Sequence, residues 1–185
     1  MTSKKLSRET WIAAGFLSLA QTGPASLQIN LLALRLGATK GSFYWHFRDL
    51  KDFKSGMLSL WRSKVATEVV AEVTRADSAE ARLDVLLSNA ARAAPEEYGG
   101  RNIETAMRAW SLSDSDVAAA LLELDTMRMA FVAQILKDLG IENPAVTELV
   151  YAAYIGLDDL HSKGRADIGA ALDALRGMIL ANREG

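Results

Sequence analysis

The chain of 185 residues contains no cysteine, which removes disulfides and thiolate metal sites from consideration. A reducing cytoplasm fits that absence and is the expected location. With only two histidines, His46 and His161, and no glycine-rich phosphate loop, there is no legible catalytic cluster. No enzymatic activity, cofactor or metal is therefore expected. No apolar run approaches the roughly 20 residues of a membrane span. The opening Met-Thr-Ser-Lys-Lys-Leu-Ser-Arg is too polar for a signal peptide, so no membrane association is expected. Strand-like alternation, internal repeats and linkers rich in glycine, serine or proline are all missing.

Half of the residues are hydrophobic, enough for a buried core. They fall at helical spacing. From Ser7, a plausible N-cap, the positions Trp11, Ile12, Phe16, Leu19 and Ala20 recur until Gly23-Pro24 ends the run. A second helix covers about Ile29 to Leu36, with Ser26 the better capping residue than Gln28. Gly37 turns the chain, and Thr39 caps a third helix through His46. Asp49 caps a long amphipathic pattern through Phe53, Met57, Leu60, Trp61, Val65, Val69 and Val73, which predicts one rod from Leu50 to about Thr74. Helices follow over 79–94, 103–112, 114–139, 144–162 and 167–182, with Asn143-Pro144 and Asp167 as starts. The expected fold is all-α with nine helices.

The stretch from Gln28 to Phe47 has the pattern of a helix-turn-helix. A recognition helix in the major groove needs donors and small residues on its outer face and no carboxylate. Thr39, Lys40, Gly41, Ser42, Tyr44 and His46 supply that face, with no acid among them. Phe43 and Phe47 lie four apart on one side and are expected in a small core with Phe16 and Leu32. The charge is divided accordingly. Residues 1–64 carry ten Lys/Arg against three Asp/Glu, a net of +7, and the remainder carries eleven against twenty, a net of −9. Both blocks could be solvated helix faces, but the basic block coincides with the helix-turn-helix and favours DNA as its partner.

Ala13-Ala14-Gly15-Phe16, Gly23, the string Leu36-Gly37-Ala38-Thr39-Lys40-Gly41-Ser42-Phe43-Tyr44-Trp45-His46-Phe47 and the following Arg48-Asp49-Leu50 carry a specific resemblance. They resemble the DNA-binding domain of the TetR (tetracycline-repressor-like) family of bacterial transcriptional regulators. The resemblance implies a helix-turn-helix domain over 1–50 and a helical ligand-binding and dimerisation domain over 51–185, joined through the helix at about 50–74. It also implies a homodimer on a near-palindromic operator, most often a repressor, released by an unidentified small molecule. The run Met107-Arg108-x-Trp110 followed by Asp116, Asp125 and Arg128 is similar to one subset of the family.

The resemblance extends to single residues. Lys40 is the candidate base or phosphate donor, Thr39 a cap and phosphate contact, and Gly41 a point of close approach to the sugar-phosphate chain. Tyr44, Trp45 and His46 follow the pattern that meets the backbone, although Trp45 could equally be half-buried against the fourth helix. Asn30 resembles a position that reaches bases in some relatives; a solvated asparagine is the alternative. Many relatives have a basic residue where this chain has Leu50, which moves the phosphate role to Arg48, Lys51 and Lys54. In the body, Met107, Trp110, Met127, Phe131, Tyr151 and Tyr154 are bulky and adaptable enough to line a ligand pocket, or else form ordinary core. Leu157, Ile168, Leu172, Leu175 and Ile179, with His161, suit a four-helix dimer interface. The competing expectations are the same regulator answering to a protein partner or to nothing, a helical enzyme with a basic head, and a structural helix bundle.

Overall fold

Ser7 opens the first helix by exchanging hydrogen bonds with Thr10. Its hydroxyl accepts from the Thr10 N–H at 3.2 Å, and Thr10 Oγ1 accepts from the Ser7 N–H at 3.4 Å. This capping box satisfies two backbone donors that the helix itself leaves unpaired. The structure, a computed structural model, describes residues 6–63 and 69–182. Ten α-helices are defined among them: α1 (Arg8–Thr22), α2 (Ile29–Arg35), α3 (Lys40–Tyr44), α4 (Leu50–Ser63), α5 (Val69–Thr74), α6 (Ala79–Ala91), α7 (Ile103–Ser111), α8 (Ser115–Asp138), α9 (Pro144–Ser162) and α10 (Ile168–Ala181). The described residues contain no strand. The all-α expectation holds. Ten helices stand where nine were expected because α4 and α5 are described separately. Continuity of the single rod falls on residues 64–68, outside the described residues.

Most helix starts obey local chemistry. Asp49 Oδ1 accepts from the Asp52 N–H at 2.7 Å, Asn143 Oδ1 from the Ala145 N–H at 3.0 Å, and Asp167 Oδ1 from the Ala170 N–H at 3.2 Å. Ser26 does not cap α2. It lies in the 3₁₀ turn Pro24–Ser26 and donates to the Gly23 carbonyl at 2.7 Å, so Gln28 is the N-cap, without a side-chain bond. The turn holds the hydroxyl one step too early to reach the α2 amides.

The chain divides into two compact units, residues up to Trp61 with Ala94–Ala120, and Arg62–Ala93 with Leu121 onward. In the first, α1 lies against α2, α7 and the 3₁₀ turn Glu96–Tyr98. Gly15 makes one contact of this unit possible. A Cβ there would stand 2.6 Å from the Phe53 ring and 2.7 Å from Met57 Sδ, so these α4 side chains fill the space over α1 that a side chain at position 15 would need. In the second unit, α5, α6, most of α8, α9 and α10 enclose a core that includes Val73, Leu83, Ile135, Leu136, Val150, Ile168, Leu172 and Ile179. Arg82 bridges to Asp138 at 2.6 Å and Arg176 forks onto Asp84 at the rim of this core.

Candidate nucleic-acid interface

The third helix has only five residues, too few to be stable by propensity in water. Three devices hold it. Gly37 turns the chain out of α2 with φ +60°, a left-handed value that favours glycine. Thr39 Oγ1 then accepts from the Ser42 N–H at 3.2 Å and caps the helix. The third device is aromatic: Phe43 is fully buried, with ring centroids 5.3 Å from Trp11, 5.1 Å from Phe47 and 5.6 Å from Phe53. Burial of rings of this size with edge-to-face contacts is the main stabilisation available to so short an element. Phe43, Phe47, Phe16 and Leu32, expected in one small core, are all four buried.

The helix ends earlier than its sequence pattern suggests. After Tyr44 the amides of His46 and Phe47 both donate to the Phe43 carbonyl, at 2.9 and 3.1 Å. The expected extension to His46 is thus a tight turn. Arg8 secures that turn from α1, a contact the sequence reading missed. Its Nη1 donates to the His46 carbonyl at 2.7 Å, and its guanidinium lies 4.3 Å from the Phe47 ring centroid. Arg8 is also paired with Asp52 at 3.5 Å. The Arg48 backbone N–H, with help from Arg8, holds the Asp52 carboxyl below its usual pKa. The partners are 38 and 44 positions apart in the chain, so no local pattern announces them.

With Phe43 inward, the outer face consists of exposed Thr39, Lys40, Gly41 and Tyr44, with half-buried Ser42 and His46 at its edges. Tyr44 contacts Phe43 edge-on at 5.5 Å while its other side faces solvent. Trp45 is 88% exposed, which removes the alternative that it packs against α4. Asn30 is exposed on α2, one position after its first residue. Gly41 has ordinary right-handed backbone, and a Cβ there would meet nothing closer than Thr39 Oγ1 at 3.7 Å. Among the described residues nothing requires glycine at that place.

The basic residues beyond α3 separate by their partners. Arg48 and Lys51 have side chains 88% and 82% exposed, and each stands 3.9 Å from an aspartate, Asp52 and Asp116 respectively. Lys54 differs. Its Nζ donates to Asp114 at 2.9 Å and lies 5.5 Å from the Trp110 ring centroid.

Residues 12–52 match the family described as bacterial regulatory proteins, tetR family. The chain carries a TetR-family DNA-binding domain. A solved structure from Rhodococcus sp., described as a TetR-family transcriptional regulator, matches over 96% of this chain and 98% of its own, with a TM-score of 0.75 and 19% identity. At that identity the likeness concerns the fold. No curated protein matches the chain. The family match over residues 12–52 supports a DNA-binding transcriptional regulator, and the all-helical fold of the chain agrees with it. Among the described residues no helix is long and apolar enough to cross a membrane.

The candidate residues of the body fall in both units. Met107 and Trp110 are buried in the first unit, and the other four lie in the second. There Met127 is exposed, Phe131 half-buried, and the rings of Tyr151 and Tyr154 are 6.1 Å apart. Tyr151 Oη donates to Asp125 Oδ1 at 2.6 Å, and the Arg128 guanidinium lies 5.7 Å from the Tyr154 ring centroid. Of the residues expected at a dimer interface, Ile168, Leu172 and Ile179 are buried in the core of their own unit. Leu157, Leu175 and His161 are half-buried, His161 Nδ1 lying 2.8 Å from the Ala166 carbonyl. An amphipathic pattern shows that a helix face is covered without showing by what. The outward sides of α9 and α10 present Leu149, Leu160 and Met178 beside small residues such as Ala152, Gly156 and Gly177.

Proposed function

We propose that the protein is a homodimeric repressor that places α3 in the major groove of a near-palindromic operator and is released by a small molecule bound in its helical body. One observation carries the reading. A helix whose back is locked by Trp11, Phe43, Phe47 and Phe53 presents to solvent an acid-free face of Thr39, Lys40, Gly41, Ser42 and Tyr44. Lys40 is the base or phosphate donor, with guanine the favoured base partner. Thr39, Tyr44, Trp45 and His46 lie along the backbone, and Asn30 stands beside them on the preceding helix. Arg48 and Lys51 supply phosphate contacts where Leu50 cannot. The domain division follows this reading, with residues 1–50 meeting DNA and 51–185 serving ligand and dimer.

Dimerisation uses the outward side of α9 and α10, where Leu149, Gly156, Leu160 and Met178 are open to a partner. The ligand is apolar with a polar end suited to the Asp125, Arg128, Tyr151 and Tyr154 group. It acts by favouring a form of the dimer that fits the operator poorly, and DNA must weaken its binding by the same factor. The cytoplasm is the proposed location.

Selection of bound duplexes from a random pool tests the reading. The expected outcome is a near-palindrome with half-sites about one helical turn or more apart. The logarithm of the affinity should fall linearly with the logarithm of salt concentration, and Lys40→Glu should abolish specific binding while the far-ultraviolet circular dichroism is kept. Absence of any enriched sequence, or a salt-independent complex, would rule the reading out.

A further inference from the structure

Lys54 is the basic residue near the start of α4 that is turned away from solvent. The side chains of Lys54 and Asp114 are 30% and 21% exposed, and their charged atoms are 2.9 Å apart. Asp114 immediately precedes α8, so this bond ties α4 to the start of α8 within the first unit. Lys54 Nζ also lies 5.5 Å from the ring centroid of Trp110 on α7, so the lysine stands where three helices meet. Burial alone would raise the pKa of Asp114, but Lys54, the Val117 backbone and the Trp110 side chain outweigh it and hold the group below the usual carboxylate range.

The surroundings make this joint matter. Beside it α4 and α8 leave a cleft of about 330 Å³ lined by Leu50, Ser55, Leu58 and Val117, so close packing does not lock the first turns of α4 there. The only other ionic contact along the cleft, among the described residues, is the loose Lys51–Asp116 pair at 3.9 Å. From Lys54 the connection to the reading helix is short. The preceding residue, Phe53, is fully buried with its ring 5.6 Å from Phe43 and 5.1 Å from Phe47. Any rotation of α4 about its axis would carry those rings, and α3 with them.

We propose that Asp114 is a positioning residue for DNA binding: through Lys54 it fixes the setting of α4 and thereby of α3, and Lys54 itself touches no phosphate. The proposal rests on α3 being the DNA reader. It separates Lys54 from Arg48 and Lys51, whose exposed side chains can exchange a weak carboxylate contact for a phosphate. Loss of the Asp114 charge would leave a half-buried ammonium unpaired, and relief of that state requires α4 to move.

Two duplexes serve as probes: one enriched from a random pool by the wild-type protein, and one of equal length and unrelated sequence. Anisotropy titrations at several salt concentrations compare the wild type with Asp114→Asn, Lys54→Met and Arg48→Met, at a temperature where melting curves show each to be folded. Asp114→Asn should lower affinity for the enriched duplex roughly tenfold, within the usual range of coupling energies, and leave the unrelated duplex within about twofold. Asp114→Glu, which keeps the charge, should recover part of the loss and replaces the asparagine variant if that one fails to fold. The salt slope should drop by about one for Arg48→Met and stay at the wild-type value for Lys54→Met. A slope reduced by about one in Lys54→Met, or an unchanged affinity of Asp114→Asn for the enriched duplex, overturns the proposal. Failure of the wild type to enrich any duplex overturns the DNA reading and this proposal with it.

Discussion

Replacing Gly41 by alanine should move stability and DNA binding in opposite directions. The residue sits in α3 with right-handed backbone, and a Cβ would meet only Thr39 Oγ1 at 3.7 Å, an ordinary contact. A glycine that needs neither a left-handed φ nor the missing volume costs helix stability without structural return. Alanine narrows the unfolded ensemble and should stabilise by about 0.4–1 kcal/mol, roughly 1–4 °C in Tm for a chain of this size. If Gly41 is the proposed point of close approach, the same methyl group has no room against a sugar-phosphate chain. It would hold α3 off the backbone and lengthen the bonds from Lys40 and Ser42. A hydrogen bond to a charged group contributes about 1.5–3 kcal/mol, so losing one lowers operator affinity by roughly 10–150-fold.

The two readouts are independent. Thermal unfolding followed at 222 nm gives the first, and anisotropy titration of the enriched duplex gives the second. A variant that melts higher and binds operator less well supports the reading of Gly41 as a contact point. Unchanged affinity, with melting raised, would show that nothing approaches that face of α3. A lower melting temperature would mean that the open space beside Gly41 is occupied within the protein, and the argument from its surroundings would fail.

Further outcomes follow from the same geometry. Phe43→Ala removes a fully buried ring with four aromatic neighbours at 5.1 to 5.6 Å, and should cost about 3–5 kcal/mol in urea unfolding; a loss below about 1 kcal/mol would contradict the core assignment. Asp52, Asp114 and Glu72 all have pKa values lowered in the folded protein: Asp52 by the Arg48 N–H, Asp114 by Lys54, the Val117 backbone and the Trp110 side chain against its burial, and Glu72 by Asn89. Each contributes stability that is complete above its unfolded value of about 4 and lost as pH falls through the folded value, so the urea midpoint should be flat from about pH 7 to 5 and decline progressively below about 5. A midpoint that rises on acidification would refute these directions. Burial and the bond to Asp125 raise the pKa of Tyr151, so in an absorbance titration one of the four tyrosines should ionise above the usual value of about 10. Asp125→Asn should bring that transition down.

The parts of the head legible in the sequence are those whose causes are local. Thr39 and Ser42 are three residues apart, Phe43 and Phe47 four, and Gly37 carries its own conformational signal, so spacing and residue type suffice for cap, core face and turn. The same holds for Asp49, Asn143 and Asp167 as helix starts. Trp45 shows the limit of periodicity. An indole in an aromatic run reads equally as a contact to the DNA backbone or as half-buried against α4, and only the early end of α3 shows that it faces solvent. Ile168, Leu172 and Ile179 show another limit, since an apolar face looks the same whether its own chain or a second copy covers it. Arg8 at the His46 carbonyl and Lys54 at Asp114 join residues 38 and 60 positions apart, beyond any local pattern.

These long-range contacts alter how the basic charge of the head should be counted. A lysine contributes to DNA affinity only if its present partner is weaker than a phosphate. Exposed ion pairs contribute about 0–1 kcal/mol, so the 3.9 Å contacts of Arg48 and Lys51 offer little resistance to exchange. Lys54 faces an aspartate at the start of α8 and lies against an indole of α7, and drawing it away would break a joint of three helices. The net charge of the first 64 residues therefore overstates the number of phosphates the head can neutralise. On the proposed reading, the basic residue absent at Leu50 is replaced by the pair on either side of it in the chain, Arg48 and Lys51, while the lysine one turn further on holds α4 in place.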